Sequence, residues 1–160
     1  MKSVKGSETE KNLLAAFAGE SQARNRYTFF SKKAKEEGYE QIAAIFIETA
    51  DNEREHAKRY FSFLEGGDVE ITAAYPAGVV GSTLDNLKAG AAGENVEHTM
   101  IYPGMAEVAE KEGLPEVAAL YRNIAAVELW HEKRYNKLIE NVSKGFVFKR
   151  DGKAFWKCLN

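Results

Sequence analysis

The sequence contains two Glu-x-x-His motifs, Glu53–His56 and Glu128–His131, each within a long segment typical of an α-helix. Residues three positions apart lie on the same face of a helix, so each motif presents a carboxylate and an imidazole to one point. The segments that begin at Glu53 and Glu128 also align without a gap beyond the motifs themselves. A chain with this repeat is expected to fold as two similar helix pairs, each of which supplies one motif.

The composition favours a single helical domain. The chain has 160 residues, of which 13 are glycine and 3 are proline, and its many Ala, Glu, Lys and Leu residues favour helix. The net charge of −2 gives no electrostatic argument for binding nucleic acid or an anionic membrane. No apolar run reaches the roughly 18 residues needed to span a bilayer, and the polar N-terminal segment lacks a signal sequence, so a cytoplasmic location is expected.

Capping and glycine signals predict four helices. A capping box at Ser7–Glu10 begins the first helix, Gly38 is expected to end it, and Pro115 is expected at the first position of the fourth. The segment 68–81 has no helical period and is interpreted as a crossover to the other end of a four-helix bundle. The predicted bounds of the helices are about 8–37, 40–64, 83–112 and 115–143.

Each predicted helix has an inward row of apolar residues that is interrupted by acidic residues or histidine. A 3.5- to 3.6-residue period defines these rows. They are Leu13, Phe17, Glu20, Ala23, Tyr27, Phe30 and Ala34; Ile42, Ile45, Thr49, Glu53, His56, Tyr60 and Phe63; Leu84, Leu87, Ala91, Glu94, Glu97 and Ile101; and Leu120, Ile124, Glu128, His131, Tyr135, Leu138 and Val142.

The internal repeat changes its offset once. Glu20 and the equivalent Glu94 are 74 positions apart, whereas Gly38 and the equivalent Gly113 are 75 apart. The second half therefore has one additional residue between Glu94 and Gly113. Helices often accommodate such an insertion as a π-bulge, and one is predicted near Tyr102–Pro103.

The polar groups on the inward rows indicate a metal site. A lone glutamate on an apolar row usually reaches to water, and a lone inward histidine is more often a hydrogen-bonded core residue than a ligand. Burying an unpaired carboxylate is costly, however, and five close together repel one another, whereas metal cations would relieve both effects. Carboxylate and imidazole without thiolate suit iron or manganese, less often zinc, and two Glu plus two Glu-x-x-His is the pattern of ferritin-like di-iron carboxylate bundles. The candidate ligands are Glu20, Glu53, His56, Glu94, Glu97, Glu128 and His131.

Residues 1–145 resemble the rubrerythrin family. The matching segments are 19–27, 53–58 and 128–134, together with Glu94, Glu97 and Tyr102–Pro103 in the third helix. Glu97 is the additional carboxylate that separates rubrerythrins from ferritins and bacterioferritins. The resemblance implies an all-α, ferritin-like four-helix bundle with a long crossover between the second and third helices.

The resemblance also implies a ligand set for two iron ions, with an oxo or hydroxo bridge in the oxidised state. Two glutamates would bridge the ions, and each ion would have two further protein ligands. In this set Glu53 and Glu128 are the bridges, Glu20 and Glu97 bind one iron, and Glu94 and His131 bind the other.

Four residues have catalytic roles in the resemblance. The first iron would move from Glu97 when oxidised to His56 when reduced, and replacing one of five carboxylates by a neutral imidazole balances the charge of two ferrous ions. Tyr27 and Tyr102 would hydrogen-bond to the carboxylates and orient them. His98 matches no ligand position and is interpreted as structural.

The activity implied by the resemblance is that of a peroxidase. The diferrous site would reduce hydrogen peroxide to water as a defence against oxidative stress. Electrons would come from a rubredoxin-type donor and ultimately from NAD(P)H, for which the chain has no glycine-rich binding turn. A homodimer is expected, and the long segment 68–81 would permit helix exchange between subunits.

Two alternatives stay open. The first is a ferritin-like ferroxidase or iron-storage protein, against which the additional carboxylate Glu97 weighs. The second is a metal-stabilised binding module without turnover, for which labile ligands are not needed.

The segment 146–160 differs from the rest of the chain. Aromatic and β-branched residues flank Asp151–Gly152, which is typical of a β-hairpin. Trp156–Cys158 resembles the start of the small rubredoxin domain that follows the bundle in typical rubrerythrins, whose single iron needs four cysteines. Because one cysteine cannot hold that iron, the chain is interpreted as a truncated form, and the alternative is a separate electron donor. A rubredoxin-type mononuclear iron is expected only if the further domain exists.

Overall fold

The computed structural model describes residues 2–149, 152, 153 and 155, and it is built from four long helices. The predicted all-α architecture is confirmed, and the third helix is divided by a π-helical segment, as the insertion predicts. The elements are α1 (Glu8–Glu36), α2 (Glu40–Phe61), α3 (Thr83–Val96), the π-helical segment Glu97–Ile101, α4 (Tyr102–Lys111) and α5 (Pro115–Ser143).

The helix ends follow the local signals in the sequence. Ser7 Oγ accepts a hydrogen bond from the Glu10 N–H at 3.0 Å, and Glu10 Oε2 accepts one from the Gly6 N–H at 2.7 Å. This is a capping box whose return bond reaches one residue further back than usual. Gly38, at φ +84°, follows the end of α1, and Pro115 is the first residue of α5. α2 ends three residues before the predicted bound.

Residues 62–82 contain no helix or strand and form the crossover from α2 to α3. Tyr75 lies against α1 and donates a hydrogen bond to the Ala15 carbonyl oxygen at 2.7 Å. At the end of the crossover, the Thr83 N–H donates to Glu37 Oε2 at 2.9 Å. α3 therefore begins beside the C-terminal end of α1, as a bundle with one long crossover requires.

The helices pack as two pairs, and each pair comes from one half of the internal repeat. α1 packs along α2, and α3 and α4 pack along α5. Two apolar clusters fill the ends of the bundle, one around Tyr60 and Tyr121 and the other around Phe46 and Tyr135. Glu20, Glu53, His56, Glu94, Glu128 and His131 are buried between these clusters, so this polar layer is closed off at both ends of the bundle.

The π-helical segment changes which side chains of the third helix face inward. The Tyr102 N–H bonds to the Glu97 carbonyl oxygen, five residues back rather than four. One additional residue turns the following helix by about 100° relative to a regular helix. For this reason the prediction for Ile101 is wrong: Ile101 is 39% exposed, and Tyr102 is buried in its place.

Two further predictions concern single segments. In α2, Phe46 is fully buried, whereas Ile45, for which an inward position is predicted, is only half-buried. Phe146–Lys149 contains no strand, and the rest of the predicted hairpin, including Cys158, lies largely outside the described residues, so the hairpin stays a prediction. None of the helices described is both long and apolar enough to cross a membrane.

Candidate metal centre

Six of the seven predicted ligands meet in the middle of the bundle. They form two groups of four, and within each group one potential ligand atom per residue lies within 4.8 Å of the others. Two glutamates belong to both groups, as in a two-metal site with bridging carboxylates. The groups are Glu20, Glu53, His56 and Glu128, and Glu53, Glu94, Glu128 and His131.

Each helix pair supplies the same set of side chains. The first helix of a pair supplies one glutamate, Glu20 from α1 or Glu94 from α3, and the second helix supplies a Glu-x-x-His motif. The four glutamates in the two groups are at most 1% exposed. The repeat therefore produces a nearly two-fold symmetric cluster of buried ligands.

The two shared glutamates are oriented as bridges. His131 Nδ1 lies 2.7 Å from Glu128 Oε2 and 3.3 Å from Glu53 Oε1. His56 Nδ1 lies 2.8 Å from Glu128 Oε1 and 3.0 Å from Glu53 Oε2. Each carboxylate thus turns one oxygen toward each histidine, which is the orientation that lets a carboxylate bind one ion with each oxygen.

Several buried polar atoms in the cluster lack hydrogen bonds within the described part of the chain. Some lie at ion-pair distance from an imidazole, but none makes a hydrogen bond of acceptable geometry. Because buried polar atoms are normally satisfied, these lone pairs fit a role as metal ligands, and their oxygen and nitrogen chemistry suits iron. They are Glu53 Oε1, Glu94 Oε2, both carboxylate oxygens of Glu128, and His131 Nδ1.

Two buried tyrosines donate hydrogen bonds to Glu20 and Glu94, each of which belongs to only one of the two ligand groups. Each tyrosine and its glutamate come from different halves of the repeat. Tyr27 of the first half donates a hydrogen bond to Glu94 Oε1 of the second half at 2.5 Å. Tyr102 of the second half donates to Glu20 Oε1 of the first half, also at 2.5 Å. Each phenol therefore fixes one carboxylate oxygen.

Glu97 lies apart from both groups. It is half-buried on the π-helical segment, and burial together with the neighbouring Glu94 raises its pKa well above the usual range. His98, the next residue, pairs with Glu132 at 2.6 Å. This pairing agrees with the structural interpretation of His98.

Without metal, the cluster balances its charge by holding protons. Burial raises the pKa of Glu20 well above its usual value, and burial with repulsion from Glu53 raises that of Glu94 to about 8. Although burial opposes it, the close negative carboxylates of Glu128 and Glu53 raise the pKa of His56 to about 9 and that of His131 to about 12. Burial is likewise outweighed at Glu53, where the adjacent His131 and His56 lower the pKa to about 2.

Asn52 contacts a histidine of the centre, and the sequence does not indicate this contact. Its side-chain nitrogen lies 3.1 Å from Nε2 of His131, the ring nitrogen that faces away from the carboxylates. The contact joins α2 to α5, and no local sequence signal predicts a contact between residues 79 positions apart.

Comparison with known proteins gives consistent matches. The Rubrerythrin family profile matches residues 11–139. Rubrerythrin from Porphyromonas gingivalis is 62% identical over 159 residues, which cover 99% of this chain and 80% of that protein. Rubrerythrin from Nitratidesulfovibrio vulgaris is 56% identical over 160 residues, covering 100% and 84% of the two chains.

Solved structures show the same fold. Fully reduced, all-ferrous nigerythrin matches with a TM-score of 0.76 at 33% identity, covering 89% of this chain and 73% of that one. Symerythrin from Cyanophora paradoxa matches with a TM-score of 0.74 at 21% identity, covering 89% of each chain. The fold, the carboxylate and histidine groups suited to two metal ions, and the family match agree, and the chain belongs to the rubrerythrin family, with a di-iron carboxylate centre.

Proposed function

We propose that this protein is a non-haem di-iron peroxidase that reduces hydrogen peroxide to water. The observation that carries the proposal is the pair of buried four-residue groups sharing Glu53 and Glu128. When bound, two ferrous ions supply the two electrons that, with two protons, convert one hydrogen peroxide into two water molecules. Two-electron reduction of this kind suits a centre that holds two ions side by side.

The proposed ligand roles follow the orientation of the side chains. Opposed carboxylate oxygens support a bridging role for the two shared glutamates. The remaining groups each face one side of this pair. We assign Glu53 and Glu128 as bridges, Glu20 with either Glu97 or His56 to the first iron, and Glu94 and His131 to the second.

His56 and Glu97 are proposed as alternative ligands of the first iron. His56 Nδ1 lies within 3.0 Å of both bridging glutamates, whereas Glu97 is outside both ligand groups. This arrangement corresponds to the histidine-ligated form that we assign to the reduced state. The exchange is supported by charge, because a neutral imidazole suits ferrous iron and an additional carboxylate suits ferric iron.

Tyr27 and Tyr102 are proposed to hold the carboxylates of Glu94 and Glu20 in place during turnover. Burial, with the adjacent carboxylates, raises the pKa of both phenols well above the usual value. Both therefore keep their protons and continue to donate hydrogen bonds to Glu94 and Glu20. A carboxylate held by one oxygen can bind metal with the other.

We infer the remaining features from family membership. The electron donor is of the rubredoxin type, with NAD(P)H as the ultimate source, and the protein acts in the cytoplasm as a homodimer. Helix exchange between its subunits would use the crossover at 62–82. Sedimentation equilibrium measures the subunit number, and donor-dependent peroxide consumption measures the electron supply.

Stopped-flow oxidation of the anaerobic diferrous protein tests the activity. The peroxidase proposal predicts that hydrogen peroxide oxidises the centre much faster than dioxygen does. The variant Glu97→Ala should slow the reaction with peroxide and still bind two irons, because His56 remains. Glu107→Ala, which removes an exposed glutamate that pairs with Lys111 at 3.9 Å, is the matched control and should react like wild type.

The same experiment distinguishes the alternative. If dioxygen oxidises the diferrous wild-type protein faster than peroxide does, the ferroxidase or iron-storage function is correct and the peroxidase proposal is wrong.

A further inference from the structure

The two histidines of the centre differ at the ring nitrogen that faces away from the carboxylates. Nε2 of His131 lies 3.1 Å from the side-chain amide of Asn52, which projects from α2 toward α5. For His56, the hydrogen bond and the ion pairs found in the described part of the chain are made through Nδ1. One histidine is held at both ring nitrogens and the other at one.

This difference originates in the internal repeat. Asn52 directly precedes the first motif, and the equivalent residue before the second motif, 75 positions later, is Val127. Valine has no hydrogen-bonding side chain. The first half therefore supplies an amide that contacts the histidine of the second half. At the equivalent position the second half has a valine, which cannot make the same contact with His56.

The amide can accept a hydrogen bond from the proton that a metal-bound His131 carries on Nε2. Nδ1 faces the bridging glutamates and is the atom available to a metal, so in the metal-bound form the proton is on Nε2. An Nε2–H needs an acceptor. Rotation of the Asn52 amide by half a turn places its oxygen where its nitrogen lies without a change of shape, and that oxygen accepts the hydrogen bond.

We propose that Asn52 is a positioning residue that fixes His131 as a permanent metal ligand, and that Val127 at the equivalent position leaves His56 free to enter and leave the centre. Ligating histidines commonly donate their second N–H to such a partner, which fixes the ring and its tautomer. The inference rests on the ligand set in the proposed function but not on the peroxidase activity.

Zinc binding tests this role separately from catalysis, because Zn²⁺ accepts the same nitrogen and oxygen ligands and has no redox chemistry. Wild type, Asn52→Leu and Asn52→Asp are titrated with Zn²⁺ in competition with a chromophoric chelator. Asn52→Leu should weaken the binding of one of the two ions by about 10- to 100-fold. Asn52→Asp keeps an acceptor at the same place and should bind both ions nearly as wild type does.

A spectroscopic measurement reports on the hydrogen bond itself. In the diamagnetic zinc form, ¹H–¹⁵N correlation spectra of the histidine ring should show a slowly exchanging Nε2–H on His131 in wild type and Asn52→Asp. In Asn52→Leu this proton should exchange rapidly. Asn25→Leu is the matched control, since Asn25 is an exposed asparagine that bonds to the Ser21 carbonyl of its own helix, and it should resemble wild type in both measurements.

The outcomes separate the two proposals. Wild-type zinc affinity in Asn52→Leu, or equal loss in the leucine and aspartate variants, would overturn the role of Asn52. If the zinc results are as expected but wild-type iron protein reacts faster with dioxygen than with peroxide, the peroxidase proposal fails and the role of Asn52 stands.

Discussion

Gly90 lies against the ring of Tyr135, one of the aromatic residues that close off the metal centre. A Cβ atom at position 90 would lie 3.0 Å from Cε2 and 3.1 Å from Cδ2 of that ring. The ring in turn packs edge-to-face on Tyr27, with centroids 5.7 Å apart, and Tyr27 holds Glu94. A glycine in the middle of α3 thus provides the space that this chain of contacts needs.

The variants Gly90→Ala and Gly93→Ala separate packing from helix propensity. Both gain the roughly 1 kcal/mol that alanine contributes in a helix interior. Only Gly90→Ala forces the Tyr135 ring to move, since a Cβ at Gly93 has no neighbour within 4 Å. Overpacking should make Gly90→Ala about 1–3 kcal/mol less stable than Gly93→Ala, as measured by urea unfolding of the metal-free proteins. Equal stability of the two variants would show that Tyr135 does not need this space.

The protons held by the metal-free cluster predict that metal affinity depends on pH. With pKa values of about 8 for Glu94, about 9 for His56 and about 12 for His131, each holds a proton at neutral pH. A group that must release its proton to bind metal weakens the apparent affinity below its metal-free pKa, and this penalty disappears as the pH rises above that value.

Apparent affinity should therefore increase from about pH 7 to about pH 9, with the steepest rise below the pKa of Glu94. Calorimetric titration with Zn²⁺ in buffers of different ionisation enthalpy counts the protons released. Release of several protons per protein at neutral pH is expected. An affinity that does not change with pH, without proton release, would contradict the charge balance described here.

Among the helices, the π-helical segment accommodates the one additional residue of the second half of the repeat. Glu94 is 74 positions from its equivalent in α1, whereas Tyr102 is 75 positions from Tyr27. The additional residue lies between them and turns α4 so that Tyr102 faces inward and reaches Glu20. Pro103 has no N–H and cannot continue the regular ladder of hydrogen bonds at this point.

Deletion of Met100 should restore a regular helix and damage the centre. Met100 is 69% exposed and lies in the π-helical segment, so its side chain contributes little to the core. Without it α4 turns back by about 100° relative to α3, and either Glu94 or the buried face of α4 must leave the interior. We expect helical circular dichroism with loss of at least one bound ion, whereas Met100→Ala should keep both. A deletion variant that binds two ions with wild-type affinity would contradict this role.

The sequence predicts those parts of this protein that depend on local pattern or on the repeat. The Glu-x-x-His spacing places the motifs on helix faces, and the change of offset locates the π-helical segment. The prediction for Ile101 fails because the π-helical segment begins at Glu97, before the position predicted for it, and has already turned the chain at Ile101. The contact between Asn52 and His131 is not predictable from the sequence, because it depends on how α2 and α5 pack and neither helix alone determines that packing.

At the scale of the whole molecule, the two halves cap each other's helices. Glu112, at the end of α4, accepts hydrogen bonds from the N–H groups of Glu8 and Thr9 at 3.0 and 2.9 Å, and from Thr9 Oγ1 at 2.5 Å. Glu37, at the equivalent position after α1, accepts from the Thr83 N–H at the start of α3. These carboxylates satisfy free N–H groups and complement the positive end of each helix dipole.

Glu112→Ala should therefore destabilise the protein by about 0.5–2 kcal/mol, the usual cost of losing an N-terminal cap. Glu37→Ala should cost less, because it loses one backbone hydrogen bond rather than two. Glu36→Ala is the control, since Glu36 is exposed and lies 3.8 Å from Lys33 of its own helix. Chemical unfolding of the metal-free proteins measures the differences. If Glu112→Ala is as stable as Glu36→Ala, the capping between halves contributes nothing.

Anomalous scattering at the iron edge, from crystals of the iron-loaded protein, tests most directly whether the buried carboxylates exist to hold two ions. We expect two peaks about 3.5–4 Å apart in the middle of the bundle. One should lie among Glu20, Glu53, His56 and Glu128, and the other among Glu53, Glu94, Glu128 and His131. A single peak, peaks only at exposed carboxylates, or no iron in the bundle would contradict the di-iron centre.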